Sequence, residues 1–374
     1  MPALTSVETS ELVALSRDIH AHPELAYQER HAAQVIAALL ERHGHTVERG
    51  IGGLETAFRA YVGPDGPSVA LLAEYDALPD VGHGCGHNLI AISNIGAFLI
   101  AAAQAPRLDV GVELIGTPAE ENGGGKIDLL GKGVFDKSIA VLSSHPASGQ
   151  WGVSGTGLGV VGKRVTFTGL ASHAGSAPEK GRNALNAVIR MFVGIDGWRP
   201  QLEAESRVHG VITDGGKAMN VVPARAEAIF GLRAKERATL DGMVERFGDI
   251  AKGAALLTGT KVEIVEYLPY YAPVKANAVL GDVIAEELGR LGVSPTRGVL
   301  VTASTDLGNV SQRVPTDWVR FPVSEAPIAG HSDVMREASV TELAHRNALI
   351  TAEALGAAAV RVATDKALRE RIAK

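Results

Sequence analysis

Cys85 and His87 stand two positions apart in His83-Gly84-Cys85-Gly86-His87-Asn88, a glycine-rich turn ahead of an apolar stretch. A thiolate and an imidazole at this spacing can face one cation together. A helix starting here would favour the thiolate over the thiol. Glu120-Glu121 offers a second pair. One carboxylate can bind metal while its neighbour accepts a proton from metal-bound water, whose pKa falls to about 7. His145, ahead of Pro146, and His331, in Gly330-His331-Ser332-Asp333, add two imidazoles. Taken singly, each has a plain reading as a buried cysteine, a solvated acidic pair or a hydrogen-bonded histidine. Together they supply soft, borderline and hard ligands with a spare carboxylate, the set a hydrolytic metal centre requires.

These residues follow apolar runs. Ser68–Ala73 leads into Glu74-Tyr75-Asp76 and the Cys85/His87 turn, Asp109–Gly116 into Thr117-Pro118-Ala119-Glu120-Glu121, and Ser138–Ser143 into His145; Trp318–Val323 precedes His331. Parallel strands share a direction, so residues past their C-terminal ends gather at one edge of the sheet. That geometry predicts convergence of Cys85, His87, Glu120, Glu121 and His145. Helical spacing appears over Glu11–His20, Glu29–His43 and Asn88–Ala103, with a shorter helix around Ile127–Leu130. The alternation is that of an α/β fold. Ser148–Gly159, rich in glycine and serine, reads as a linker.

Beyond it the pattern becomes βαββαβ: strand Lys163–Thr168, helix Arg182–Trp198, strands Val208–Thr213 and Arg225–Ala234, helix Leu240–Leu257 and strand Lys261–Val265. The α/β pattern resumes near Pro273. The expectation is a discontinuous first domain, 1–160 and 270–374, with a second domain inserted at 161–269. Within the insert, His173, Asn220 and the strand-borne Arg233 form a polar set suited to an oxyanion and a substrate carboxylate.

Composition narrows the classes. The chain has 374 residues, 46% of them hydrophobic and 21% charged, with net charge -6, which disfavours nucleic-acid and anionic-membrane surfaces. Met1–His20 lacks a basic start with an apolar core, and no apolar run reaches the roughly 20 residues of a membrane helix. Cys85 is the single cysteine, so no internal disulfide can form, and a cytoplasmic location is expected. His20, His22, His31, His43, His45, His209 and His345 read as surface or capping residues. His83 reads either as a partner orienting a ligand or as part of the turn.

In order along nearly the whole chain, these motifs resemble the M20 family of metallopeptidases and amidohydrolases. The resemblance runs through Ile19–Leu25, Glu74–Pro79, His83–Asn88, Glu120-Glu121, Ser172–Gly175, Asn220–Pro223, Ser304–Asn309 and His331. It is strongest to the subgroup of aminobenzoyl-glutamate hydrolases, aminoacylase-type enzymes and related dipeptidases. The resemblance implies a zinc-peptidase-like mixed sheet flanked by helices, with a ferredoxin-like insert acting as lid and dimerisation domain. It implies two divalent ions (zinc or manganese, with cobalt also accommodated) on Cys85, His87, Glu121, His145 and His331. Glu120 becomes the general base, Asp76 a supporting carboxylate and His173 the oxyanion donor, while Asn220 and Arg233 resemble substrate-carboxylate and dimer-interface positions. The implied partners are a small N-acyl amino acid or dipeptide and a second copy of the chain. Two departures stand out: Glu74 occupies a place where much of the wider family has a ligand histidine, and Asn88 one where hippurate-type relatives have aspartate. The competing classes are a dipeptidase or carboxypeptidase of the same fold, a thiol hydrolase with Cys85 as nucleophile, and a non-catalytic binding protein.

Overall fold

A computed structural model describes residues 3–374. The chain divides into two compact units, one formed by residues up to Thr156 with Val274–Val301 and Thr305–Lys374, the other by Gly157–Pro273 with Thr302–Ser304.

The first unit is built on an eight-stranded mixed sheet in the spatial order Val47–Arg49, Phe58–Val62, Gly111–Gly116, Ser68–Ala73, Ser138–Ser148, Thr316–Ser324, Gly152–Val153, Thr296–Arg297. Its four central strands run parallel to one another. Ser68–Ala73 and Gly111–Gly116 are buried at every position, because helices cover both faces. Alternate residues feed opposite cores. Val69, Leu71, Leu114 and Leu142 join the larger core with the helices Ser6–Ala21, His87–Ala102, Ala278–Arg290 and Glu342–Thr364. Ala70, Leu72, Ile115 and Val141 join Leu129, Phe135, Leu307 and Val310 on the other face. His87–Ala102 has no polar stripe and is accordingly buried almost all round.

The second unit is a four-stranded antiparallel sheet in the order Lys261–Tyr271, Gly159–Thr168, Arg225–Ala234, Arg207–Asp214. The helices Ala184–Trp198 and Arg237–Thr258 pack with it in a single core. Ala226, Ala228, Phe230 and Leu232 point inward while their neighbours are only partly covered, the alternation of a sheet with one packed face.

Two expectations are corrected. Ser148–Gly159 is not a bare linker, since Gly152–Val153 adds to the large sheet beside Thr316–Ser324, and Thr156–Gly157 forms a further short strand. Glycine and serine misled because their low strand propensity is overridden by available hydrogen-bonding edges. The strand predicted to stop at Ser143 continues to Ser148, so His145 lies within it, opposite Arg320.

Candidate active site

The parallel strands deliver their following residues to one edge. Glu74 and Asp76 follow Ser68–Ala73, Glu120 and Glu121 follow Gly111–Gly116, and His145 stands late in Ser138–Ser148. Gly86 caps helix His87–Ala102 with φ 78°, and a Cβ there would meet Pro146 at 2.7 Å, so only glycine lets this turn approach His145. The His331 N–H donates to the Gly84 carbonyl at 2.9 Å, tying the His331 loop to the Cys85 turn. Ala119 adopts a left-handed φ of 60° just before Glu120, and its N–H donates to buried Glu29 at 2.9 Å.

Two groups of candidate ligands share the Cys85 sulfur. Cys85, His87 and His145 form one, and Cys85, Glu121 and His331 the other, with the ligand atoms of each within 4.8 Å of one another. Cys85 Sγ lies 3.5 Å from His145 Nε2, and His331 Nε2 lies 3.5 Å from Glu121 Oε2. His145 directs Nδ1 to the Pro146 carbonyl at 2.7 Å, which leaves Nε2 as the candidate ligand atom. His87 Nδ1 is 2.9 Å from Asp76 Oδ1, and Asp76 Oδ2 accepts from the Glu121 N–H at 2.9 Å. Asp76 thus orients one candidate ligand through its ring and another through its backbone.

The charge balance calls for cations. His87 Nε2 faces Glu74, Glu121 and Glu120 oxygens at 3.6, 3.7 and 3.9 Å. Like charges about 4 Å apart repel by about 4 kcal/mol at an effective dielectric of about 20, so several ionised carboxylates here need counter-charge. Burial and the carboxylates of Glu121, Glu74 and Asp306 push Glu120 well above the usual carboxylate range. Burial alone would lower His87, but Asp76 reverses this and holds it well above its ordinary value. Burial and neighbouring His87 push His145 down to about 4. His87 Nε2, Glu121 Oε1 and Glu74 Oε2 are buried atoms with no hydrogen-bond partner. Orphaned polar atoms converging with a thiol and imidazoles fit divalent metal.

The expected helix effect on Cys85 is corrected. Desolvation and the Glu121 carboxylate push the thiol well up in the protein alone, outweighing the short-range field of the helix start. Sequence reasoning also missed buried Lys126, whose Nζ lies 2.8 Å from Glu74 and 2.6 Å from Asp306. A lysine after Gly123-Gly124-Gly125 reads as solvent-facing until the fold closes over it. His345 is corrected from surface to core: it is 3% exposed, with Nε2 3.0 Å from the Ser16 hydroxyl. His83 packs on His20, ring centroids 6.0 Å apart, and burial pushes it down to about 3.

In the second unit, the loops bearing His173 and Asn220 are joined. His173 bridges Val221, and the Ala174 N–H donates to the Asn220 carbonyl at 2.9 Å. The backbone N–H groups of Gly175 and Ser176 donate to His173 Nδ1 at 3.2 and 3.1 Å, fixing the tautomer with its proton on Nε2. Arg233 stands apart on its strand, where Nη1 donates to the Ser304 hydroxyl at 2.8 Å.

Residues 158–257 match the family of peptidase dimerisation domains of M20 proteins. The chain is 35% identical to the Xaa-Arg dipeptidase of Mus musculus, over 97% of this chain and 88% of that protein. The chain belongs to the M20 family. It is 36% identical to a p-aminobenzoyl-glutamate hydrolase polypeptide of Escherichia coli, over 65% of this chain and 54% of that protein. Its fold matches a dinuclear metal binding peptidase from the M20 family of Bacillus subtilis, with TM-score 0.73 and 21% identity over 96% of this chain and 99% of that one. As an M20 member it is a hydrolase of amide bonds that depends on metal. No helix among the described residues is long and apolar enough to cross a membrane.

Proposed function

We propose that this chain hydrolyses the amide of an aminoacyl or acyl amino acid at a two-metal centre held by Cys85, His87, Glu121, His145 and His331. The observation that carries the reading is the convergence of those candidate ligand atoms beside Glu120, with buried polar atoms left without partners. When bound, the cations supply Lewis-acid polarisation of the carbonyl and acidify the attacking water. A thiolate ligand favours zinc, while the carboxylates accept manganese or cobalt.

Glu120 takes the proton of the attacking water and returns it to the leaving amine. Asp76 holds His87 with Nε2 free to ligate. His173, with its proton on Nε2, donates to the carbonyl oxygen as that oxygen gains charge. Arg233 and Asn220 receive the carboxylate of the product amino acid. Dipeptides are the first substrates to try, because the relative named Xaa-Arg dipeptidase aligns over 97% of the chain. N-acyl amino acids are the second.

The inserted unit, bounded at 161–269 by its sequence pattern, serves as lid and dimerisation domain. Its edge strand Arg207–Asp214 exposes Val211 and Ile212 at 55% and 40%, and helix Ala184–Trp198 exposes Val193 at 55%. An unpaired strand edge with apolar side chains suits a second copy of the chain. A reducing compartment such as the cytoplasm suits a protein whose single cysteine serves as a ligand.

The test is Glu120→Ala in the metal-loaded enzyme against a panel of dipeptides and N-acyl amino acids. Turnover is expected to fall at least about 10²-fold with metal content unchanged. Undiminished turnover would remove Glu120 from the chemistry. A thiol hydrolase would instead survive chelator and die on alkylation.

A further inference from the structure

Glu74, Lys126 and Asp306 form a buried ion triad that the chemistry above leaves without a role. Lys126 has no exposed surface. Its Nζ lies 2.8 Å from Glu74 Oε1 and 2.6 Å from Asp306 Oδ1, and its backbone N–H donates to Asp306 Oδ2 at 2.9 Å. Asp306 therefore grips Lys126 at both ends, and Lys126 grips Glu74 by one oxygen. A buried ammonium between two carboxylates has little freedom to reorient, since leaving either partner would strand a charge.

The other Glu74 oxygen, Oε2, has no hydrogen-bond partner, although Glu74 is only 3% exposed. It lies 3.6 Å from His87 Nε2, which is equally without a partner. Asp76 occupies the Nδ1 side of His87, so Nε2 is the ring atom turned to this gap. Two buried atoms without partners then face each other across that gap. A shared proton would draw the atoms to about 2.7–2.9 Å. A divalent cation about 2.1 Å from each holds them about 3.0 Å apart at a right angle and about 3.6 Å apart near 118°. The separation is too long for a hydrogen bond and leaves room for a metal between them. Glu120 contributes an oxygen within 4.8 Å of both groups, adding to the negative wall.

We propose that Glu74 Oε2 is a further ligand of the metal centre and that Lys126, braced by Asp306, is the positioning residue that aims it. The assignment rests on the metal-centre reading of the function. Lys126 occupies one Glu74 oxygen and so fixes which oxygen turns to the cation. It also neutralises one of the two carboxylates that would otherwise lie buried together.

The experiment strips the full-length chain with chelator and titrates it with Co²⁺, following visible absorption, with a chromophoric chelator as competitor to read affinity. Wild type is expected to develop ligand-field bands. Glu74→Gln, nearly isosteric, is expected to bind one equivalent about tenfold or more weakly and to shift the bands. Lys126→Met should shift the bands in the same way, because Glu74 loses its aim; should it not fold, Glu74→Gln decides alone. A folded Glu74→Gln with wild-type bands and affinity would overturn the ligand assignment. Folded Lys126→Met with wild-type bands would overturn the positioning role. A wild type that takes up no cobalt would remove the metal centre itself, and this assignment with it.

Discussion

The two units handle polar side chains in opposite ways. In the first, Glu74, Asp76, His87, Glu120, Lys126 and Asp306 are all buried at the edge of a sheet covered on both faces. The proton affinities of Asp76, His87, Glu120, Lys126 and Asp306 depart from ordinary values in several directions, as burial and close charges dictate. In the second, His173 and Asn220 stand on exposed loops of a sheet packed on one face only, and apolar side chains such as Val211, Val193 and Met219 also face outward. Preorganised electrostatics come from the first arrangement, because fixed charges in a low-dielectric site need no rearrangement during reaction. Presented surface comes from the second. Buried charge and presented surface are thereby divided between a dry unit and a wet one.

The sharpest way to break this comparison is to remove the cations. Chelator should abolish amide hydrolysis, and added zinc, manganese or cobalt should restore it; full activity in chelator, read by product release, would strip the first unit of its assigned role. Next, His173→Ala should lower kcat on the order of 10²-fold with a smaller change in KM, as for the loss of one oxyanion donor. Steady-state kinetics separate this from a loss of substrate affinity. A smaller effect is expected of Val211→Asp, which places a charge on the open strand edge. Sedimentation is expected to report dimers for wild type and monomers for the variant, while the separate core of the second unit keeps its thermal unfolding close to wild type.

The smallest effect concerns pH. Burial lowers His345 to about 4, below its usual 6.5. The unfolded chain therefore binds a proton that the folded chain resists, and stability falls as pH drops from about 6.5 towards 4. His345→Asn should flatten that part of the slope in denaturant midpoints measured between pH 7 and 4.5. An unchanged slope would return His345 to the solvent-facing role its sequence position suggested.

Much of the site was legible because strand direction turns separation in sequence into proximity in space. Cys85, His87, Glu120, Glu121 and His145 each follow or end an apolar run, and parallel pairing of those runs suffices to gather them. Glu29 and Lys126 were illegible for the converse reason. Glu29 sits at a helix start and Lys126 beside three glycines, surroundings that look solvated in a one-dimensional reading. Ser148–Gly159 misled similarly, since its short strands exist only because Thr316–Ser324 offers an edge.

By itself, then, the order of residues determined the candidate ligand types, the glycine turns, the α/β rhythm and the inserted βαββαβ unit. These follow from side-chain chemistry and local periodicity, which neighbours along the chain already specify. Tertiary structure alone decided which carboxylate oxygen faces which imidazole nitrogen, that Lys126 lies in the dry interior, and that the Cys85 thiol is pushed up by its surroundings. Such outcomes depend on distances of a few ångströms and on exclusion of water, quantities fixed only when segments far apart in the chain pack together.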